Sequence, residues 1–174
     1  MSKKLLALST SIAVLAGIWT WLAFSVPMLG PIPFVLWPTF VAWAAFFYAG
    51  ATIEGMLKGI VQLFTGAIIS WIMISIWVAM GAPGPVPLVL GIFVIIIAWP
   101  LTALSGVSKW WALVPAGFCG AASYFGVADN AALVAAKQAW TFTHLLATLF
   151  PLLAGELLGW LSNYIIVVAM PEKA

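Results

Sequence analysis

Long apolar runs without a single charged residue limit most strongly how this chain can fold. Residues 5–53 and 59–108 contain no Asp, Glu, Lys or Arg. Over the whole chain 66% of residues are hydrophobic and 6% are charged, whereas a soluble domain has about 25% charged residues. Most of the folded surface is therefore expected to face lipid, and the chain is predicted to be an integral membrane protein.

The apolar runs are typical of helices rather than of barrel strands. A transmembrane strand alternates apolar and polar residues over about ten positions, but residues 91–100 read GIFVIIIAWP without alternation. A spanning helix needs about 20 mostly apolar residues. The sequence predicts an all-α membrane protein with six transmembrane helices, at about 5–26, 33–49, 57–80, 86–105, 110–127 and 139–169.

Turn residues and lysines predict how these spans are connected and oriented. Gly30-Pro31-Ile32-Pro33 and Gly81-Ala82-Pro83-Gly84-Pro85 are typical of breaks between helices. With six spans, one side of the membrane receives Lys3, Lys4, Lys58, Lys109 and Lys173, and the other receives only Lys137. The positive-inside rule then predicts that both termini are cytoplasmic.

The two halves of the chain resemble each other. Pro38, Ala44, Ala45 and Phe47 recur at a constant offset as Pro115, Ala121, Ala122 and Tyr124, and the Gly66–Trp71 spacing recurs as Gly155–Trp160. Three spans per half would place the halves in opposite orientations, a plan found in transporters. The sequence predicts a single domain over residues 1–174 with a 3+3 inverted repeat, its halves at about 5–80 and 86–169. Two similar lipid-adapted segments without a common plan are the alternative.

Small residues on the fifth span predict close helix packing. Gly117 and Ala121 are four residues apart, a spacing that lets helix backbones approach each other in a membrane. We expect spans 2 and 5 to cross near the centre of the bundle.

Glu156 is the strongest candidate for a functional polar residue, because inserting an ionisable group into a bilayer costs a free energy of about 2.5–3.5 kcal/mol or more. It must face protein or water. Asn163 follows seven residues later on the same helix face, and Gln62 and Ser70 are the corresponding polar residues of span 3. These four side chains are the predicted lining of a pore or solute site. The alternative is that Glu156 is a structural carboxyl, hydrogen-bonded across the bundle.

His144 is the only histidine, and it lies between Thr141 and Thr148 in span 6. We include it among the pore or solute-site candidates, since a histidine can sense pH or gate a path. The alternative, which the surrounding threonines favour, is a hydrogen-bonded or interfacial side chain.

Several function classes have no support in the sequence. We find no cluster with metal-ligand spacing, no phosphate-binding loop and no nucleotide-binding fingerprint. We therefore predict no metal, no cofactor and no catalytic residues, so the protein is not expected to be an enzyme. A net charge of +2 without a basic run makes nucleic acid an unsuitable partner.

Three short segments resemble a known family: Gly17 to Trp21, Gly55 to Gly59 and Val114 to Ala121. They are similar to the bacterial inner-membrane family catalogued as domain of unknown function 1097 (DUF1097). The resemblance covers nearly the whole chain and implies a multi-pass protein of the bacterial inner membrane, with no settled activity. In a member of that family an apolar residue stands where this chain has Glu156, so the resemblance gives this acid no family-wide role.

Two functions follow from these observations. The first is a small channel or transporter for an uncharged or weakly charged solute, since few fixed charges are present to match an ion. The second is a non-transporting structural or assembly subunit of a larger membrane complex. The expected partners are the lipid bilayer, a small-molecule solute in the first case, and other subunits as a homo-oligomer or membrane complex.

Overall fold

A computed structural model describes residues 2–26, 28–30 and 32–169, so Pro31 and Lys173 lie outside the described residues. Its elements are helix α1 (Lys3–Ser25), a small antiparallel pair β1 (Met28–Leu29) and β2 (Ile32–Pro33), and helices α2 (Trp37–Tyr48), α3 (Ile53–Ala79), α4 (Val86–Ala103), α5 (Val114–Val127), α6 (Ala131–Ala135) and α7 (Phe142–Ala169). Met28 pairs with Pro33 and Leu29 with Ile32.

The all-helical prediction is confirmed, and a helix occupies each of the six predicted spans. Four of these helices are long and apolar enough to cross a membrane: Lys3–Ser25, Ile53–Ala79, Val86–Gly106 and Phe142–Val168. Helices α2 and α5 have only 12 and 14 residues, which corresponds to about 18 and 21 Å. The sequence placed spans 2 and 5 too broadly, because the apolar residues before α2 include strand β2, and those before α5 include a short 3-10 helix at Lys109–Trp111.

Proline and polar caps explain where several helices begin. Pro38 stands in the first turn of α2 and Pro115 in the first turn of α5, where the missing N–H costs no hydrogen bond. The side chain of Thr52 accepts from Gly55 N at the start of α3, and Asn130 caps α6 in the same way. These residues divide the apolar sequence into separate helices.

The most extensive helix contacts are α3 with α5 and α2 with α7, and glycine makes both possible. A Cβ at Gly66 of α3 would overlap the carbonyl oxygen of Gly117 and lie 2.8 Å from the amide nitrogen of Ala121. A Cβ at Gly155 of α7 would likewise overlap the carbonyl oxygen of Thr39. Gly117 and Ala121 thus lie at a close crossing, as their spacing predicted, but the partner of α5 there is α3, not α2.

Contacts along the helices show the direction of each one. Helices α3 and α7 are antiparallel, since Gly59 lies beside Glu156 and the ring of Trp71 meets that of Phe142. Helices α2 and α7 are parallel, with Thr39 beside Gly155 and the carbonyl of Ala51 bonded to Asn163.

The contacts also give the relative directions of two further helix pairs. Helices α3 and α5 are parallel, with Glu54 paired to Lys109 just before α5, and Gly66 beside Ala121 further along. Helices α1 and α7 are antiparallel, because Ser11 bonds to Ser162 while Trp19 lies near Phe150.

The apolar core lies between α2, α3, α5 and α7. One face of α4, with Phe93, Ile97 and Leu101, packs into this core, whereas α1 lies outside it. Leu63, Ala67, Ile74, Tyr124 and Leu152 are fully buried in one cluster. In contrast, only 6% of the membrane-length window of α1 and 17% of that of α4 are buried. Large apolar side chains on both helices are exposed, among them Phe24 and Ile95. This distribution is that of a membrane protein, since lipid covers such faces.

Candidate functional site

Helix α3 is packed against α5 on one side and α7 on the other, and we call this three-helix interface the α3 seam. Gly59, Gln62 and Gly66 are spaced i, i+3 and i+7, so they lie on one helix face. Gly59 faces α7, whereas Gln62 and Gly66 face α5. The seam therefore runs along the glycine-rich face of α3.

Glu156 lies in the seam with its carboxyl group against Gly59. A Cβ at Gly59 would lie 2.8 Å from the Glu156 carboxyl carbon, so the absence of a side chain there makes room for the carboxyl group. Glu156 is fully buried, and neither carboxyl oxygen has a hydrogen-bond partner. Buried polar groups are nearly always hydrogen-bonded, so an unpartnered acid here requires an explanation.

Gln62 is fully buried one helical turn after Gly59. Its Nε2 donates to the carbonyl oxygen of Trp111. A carbonyl can only accept, so this bond fixes the amide orientation and leaves Oε1 facing the seam beside Gly117, without a partner. Gln62 and Glu156 thus present unpartnered acceptor oxygens within about one turn of α3, and we call them the acceptor layer.

Further along the seam, two buried donors also lack partners. Trp71 of α3 meets Phe142 of α7, and Tyr124 of α5 stacks on His144 of α7 at 4.3 Å. Neither the Trp71 Nε1 nor the Tyr124 hydroxyl has a hydrogen-bond partner. We call Trp71 and Tyr124 the donor layer, because an indole N–H can only donate and a phenol readily donates.

His144 is held in place by two backbone groups. Its Nδ1 accepts from the N–H of Trp140 at 2.9 Å, and its Nε2 lies 2.8 Å from the carbonyl oxygen of Tyr124. Since a backbone N–H only donates and a carbonyl only accepts, these partners specify the neutral tautomer with its proton on Nε2. The histidine thereby ties the start of α7 to α5, next to a Trp140 backbone in the left-handed region at φ 69°.

The other two predicted site residues lie apart from Gln62 and Glu156. The hydroxyl of Ser70 donates to Gly66 O of its own helix at 2.8 Å. Asn163 donates to the carbonyl oxygen of Ala51, in the loop between α2 and α3, at 3.1 Å. The five predicted residues therefore occupy three places: the acceptor layer, the region around the donor layer, and the α2–α3 loop.

Four described cavities lie around the helices, and none has any of the five predicted residues in its lining. One of about 300 Å³ opens at the start of α3, with Thr52, Glu54, Gly55 and Lys58 in its wall. Gly59, which contacts the acceptor layer, is the residue after Lys58. This cavity thus ends within about one helical turn of the acceptor layer.

Charged residues gather at the same end of the seam. Glu54 pairs with Lys58 at 3.0 Å and with Lys109 at 3.6 Å. Exposed pairs of this kind add little to stability, but they show that Lys58 and Lys109 share one end of the helix bundle, as the predicted orientation requires. Among the described residues no group of three or more His, Cys, Asp or Glu could hold a metal ion.

Sequence reasoning did not identify Gly59, Trp71 or Tyr124 as part of a site. The sequence contained a usable signal for two of them. Gly59 begins the i, i+3, i+7 series that includes Gln62, and Tyr124 follows Gly117 and Ala121 at the i, i+4, i+7 spacing of one helix face. Trp71 gave no signal, because a tryptophan in an apolar helix is ordinarily a packing residue.

Comparison with known proteins returned one finding. A family model described as "Protein of unknown function (DUF1097)" matches residues 9–166. Neither a curated protein nor a solved structure is significantly similar to the chain.

Proposed function

The chain belongs to the DUF1097 family, and we propose that it is a transporter that moves a small uncharged or weakly charged solute across a membrane along the α3 seam. The observation that carries this proposal is the set of fully buried, unpartnered polar groups at Gln62, Ser123, Tyr124 and Glu156. Such groups destabilise a fold. In a membrane protein they commonly mark a solute or ion pathway.

The proposed architecture is six spans arranged as a 3+3 inverted repeat, with α1, α2 and α3 matched to α4, α5 and α7. The helix directions support this architecture. Helices α1, α3 and α5 run in one direction, and α2 and α7 run in the opposite direction, as alternating spans require. The contacts support it too. Matching the halves exchanges the α3–α5 pair with the α7–α2 pair. Gly66 lies against Gly117 and Ala121 much as Gly155 lies against Thr39 and Trp43, with a shift of one residue relative to the repeat offset.

The short α2 and α5 fit this architecture. Each packs by backbone contact against a long helix, α7 or α3. Backbone outside a helix is tolerated at membrane depth where protein buries it, and inverted-repeat transporters place their sites where the halves meet. The α3 seam is such a place, because α3 belongs to one half and α5 and α7 to the other.

The structure has a closed seam, so we propose a carrier that opens to one side at a time. Leu63, Ala67 and Leu152 are all fully buried between the acceptor and donor layers. A solute could reach the acceptor layer from the cavity at Thr52–Lys58 and would cross only after the halves move. The proposed location is the bacterial inner membrane, with both termini in the cytoplasm and several copies assembled as a homo-oligomer.

Flux measurements in proteoliposomes test this function. Vesicles with the purified protein are shocked with urea, acetamide or glycerol, and reswelling is followed by light scattering. We expect faster reswelling than in protein-free vesicles with at least one solute, and its loss in Glu156→Leu. Asp129→Asn is the matched control, since Asp129 is an exposed acid outside the membrane helices. Identical reswelling with and without protein, for every solute, would refute a transport function.

A second function, a non-transporting subunit of a larger membrane complex, is favoured by a different observation. Ser70, His144 and Asn163 each donate a hydrogen bond to a backbone carbonyl of the protein, as expected of side chains with a structural role. Under this proposal Glu156→Leu leaves flux unchanged and raises stability, because it removes an unpartnered group. Co-purification of the tagged protein with a constant set of membrane subunits would support it.

A further inference from the structure

We propose that the transported solute is a small uncharged amide, a molecule with an –NH₂ group at one end and a carbonyl oxygen at the other. This inference rests on the proposed transport function and names its substrate class. It is argued from the polarity of the unpartnered groups along the α3 seam.

The acceptor layer calls for N–H donors on the solute. It presents three unpartnered oxygens, Oε1 of Gln62 and both carboxyl oxygens of Glu156. An –NH₂ group supplies two donors from one atom, whereas a hydroxyl supplies one. The carboxyl group itself fills the space beside Gly59, so a solute reaches its oxygens only when α3 and α7 separate, as in the proposed carrier.

The donor layer calls for an acceptor on the same solute. Trp71 and Tyr124 offer an indole N–H and a phenol O–H without partners, and a carbonyl oxygen can accept a hydrogen bond from either. Nine residues of α3 separate Gln62 from Trp71, which is about 13 Å. The two layers are therefore successive positions along a path and not one site.

The polarity of the groups in the two layers disfavours simple ions. Oε1 of Gln62 disfavours an anion and the N–H of Trp71 disfavours a cation, whereas a protonated Glu156 carboxyl group and the Tyr124 hydroxyl group can both donate and accept. Beyond the charged residues at its Lys58 end, the seam has three titratable side chains among the described residues: Glu156, Tyr124 and His144. Both ring nitrogens of His144 are already engaged. A neutral solute with both donors and an acceptor can replace its lost water contacts at each layer.

The test compares acetamide with glycerol, a polyol with three hydroxyl groups, and with methylammonium in the reswelling assay. We expect acetamide flux at least tenfold above glycerol flux, and no protein-dependent methylammonium flux. Tyr124→Phe removes only the hydroxyl group and should lower acetamide flux about five- to tenfold, the factor expected for one hydrogen bond. Tyr164→Phe, on the exposed side of α7, is the matched control and should leave flux unchanged.

The acceptor layer is tested with two replacements of Glu156. Glu156→Gln keeps a carbonyl acceptor and should retain acetamide flux, whereas Glu156→Leu should abolish it. Thermal unfolding in detergent verifies that each variant is folded. Equal acetamide and glycerol flux, or full acetamide flux in Tyr124→Phe, would overturn the amide inference while leaving transport intact. Absence of flux with every solute would overturn transport itself.

Discussion

Replacing Gly66 with alanine should force α3 and α5 apart. The new Cβ would overlap Gly117 O and lie 2.8 Å from Ala121 N, whereas ordinary contacts of a Cβ begin at 3.4 Å. Both obstacles are backbone atoms of a helix, which cannot rotate away as a side chain would. The Ala121 contact alone requires the helices to separate by about 0.6 Å, and the closer Gly117 oxygen requires more. Such a separation weakens many packing contacts at once.

The expected cost is about 3 kcal/mol, the upper part of the range for overpacking a well-packed core. For a chain of this length each kcal/mol lowers Tm by about 2–4 °C, so Gly66→Ala should lower it by about 6–12 °C. The single cysteine, Cys119, is half-buried. Unfolding in detergent exposes its thiol group further, so the rate of reaction with a thiol-sensitive dye during heating reports unfolding. No second cysteine is present to react with the dye.

A matched glycine provides the control. Gly91 lies in the membrane-length helix α4 with no atom within 4 Å of its Cβ position, so Gly91→Ala should be neutral or stabilising by up to about 1 kcal/mol. Gly155→Ala should behave like Gly66→Ala, because its Cβ would meet the backbone at Thr39 and Trp43. The reasoning is refuted if Gly66→Ala and Gly91→Ala have the same Tm.

Three further predictions concern the seam and the topology. Gly59→Ala should destabilise the protein by about 1–3 kcal/mol, because the new Cβ would overlap the Glu156 carboxyl group. Adding Glu156→Ala should restore most of the lost stability. Additive effects of the two substitutions in a double-mutant cycle would contradict this contact. His144→Phe should lower Tm, because it leaves the carbonyl of Tyr124 buried without its partner, and an unchanged Tm would argue against the anchoring role. Reporter fusions at either end should both read as cytoplasmic, and a periplasmic signal from one end would exclude six spans.

The sequence predicted the elements of the fold better than their lengths. Charge-free apolar runs and proline-glycine turns were enough to place a helix in each of the six predicted spans. They could not show that α2 begins at Trp37 and α5 at Val114, because hydropathy does not distinguish an apolar turn from an apolar helix. Tertiary contacts and capping decide that boundary.

The candidate site was predicted only in part. Glu156 and Gln62 were identified because a polar side chain inside lipid is costly, and the cost depends on residue type alone. The structure added Gly59, Trp71 and Tyr124, which come from different helices and become a site only where these helices meet. It also placed Ser70 and Asn163 on backbone partners elsewhere.

Residue chemistry by itself thus determined that this protein belongs in a membrane, that it is helical, and which few polar groups must be sheltered from lipid. Only the tertiary structure decided which helices approach at Gly66 and Gly155, and which polar groups then keep a partner. The reason is physical: transfer of a residue into lipid is a local free energy that composition reports. A hydrogen bond or a backbone contact depends on the positions of two distant segments.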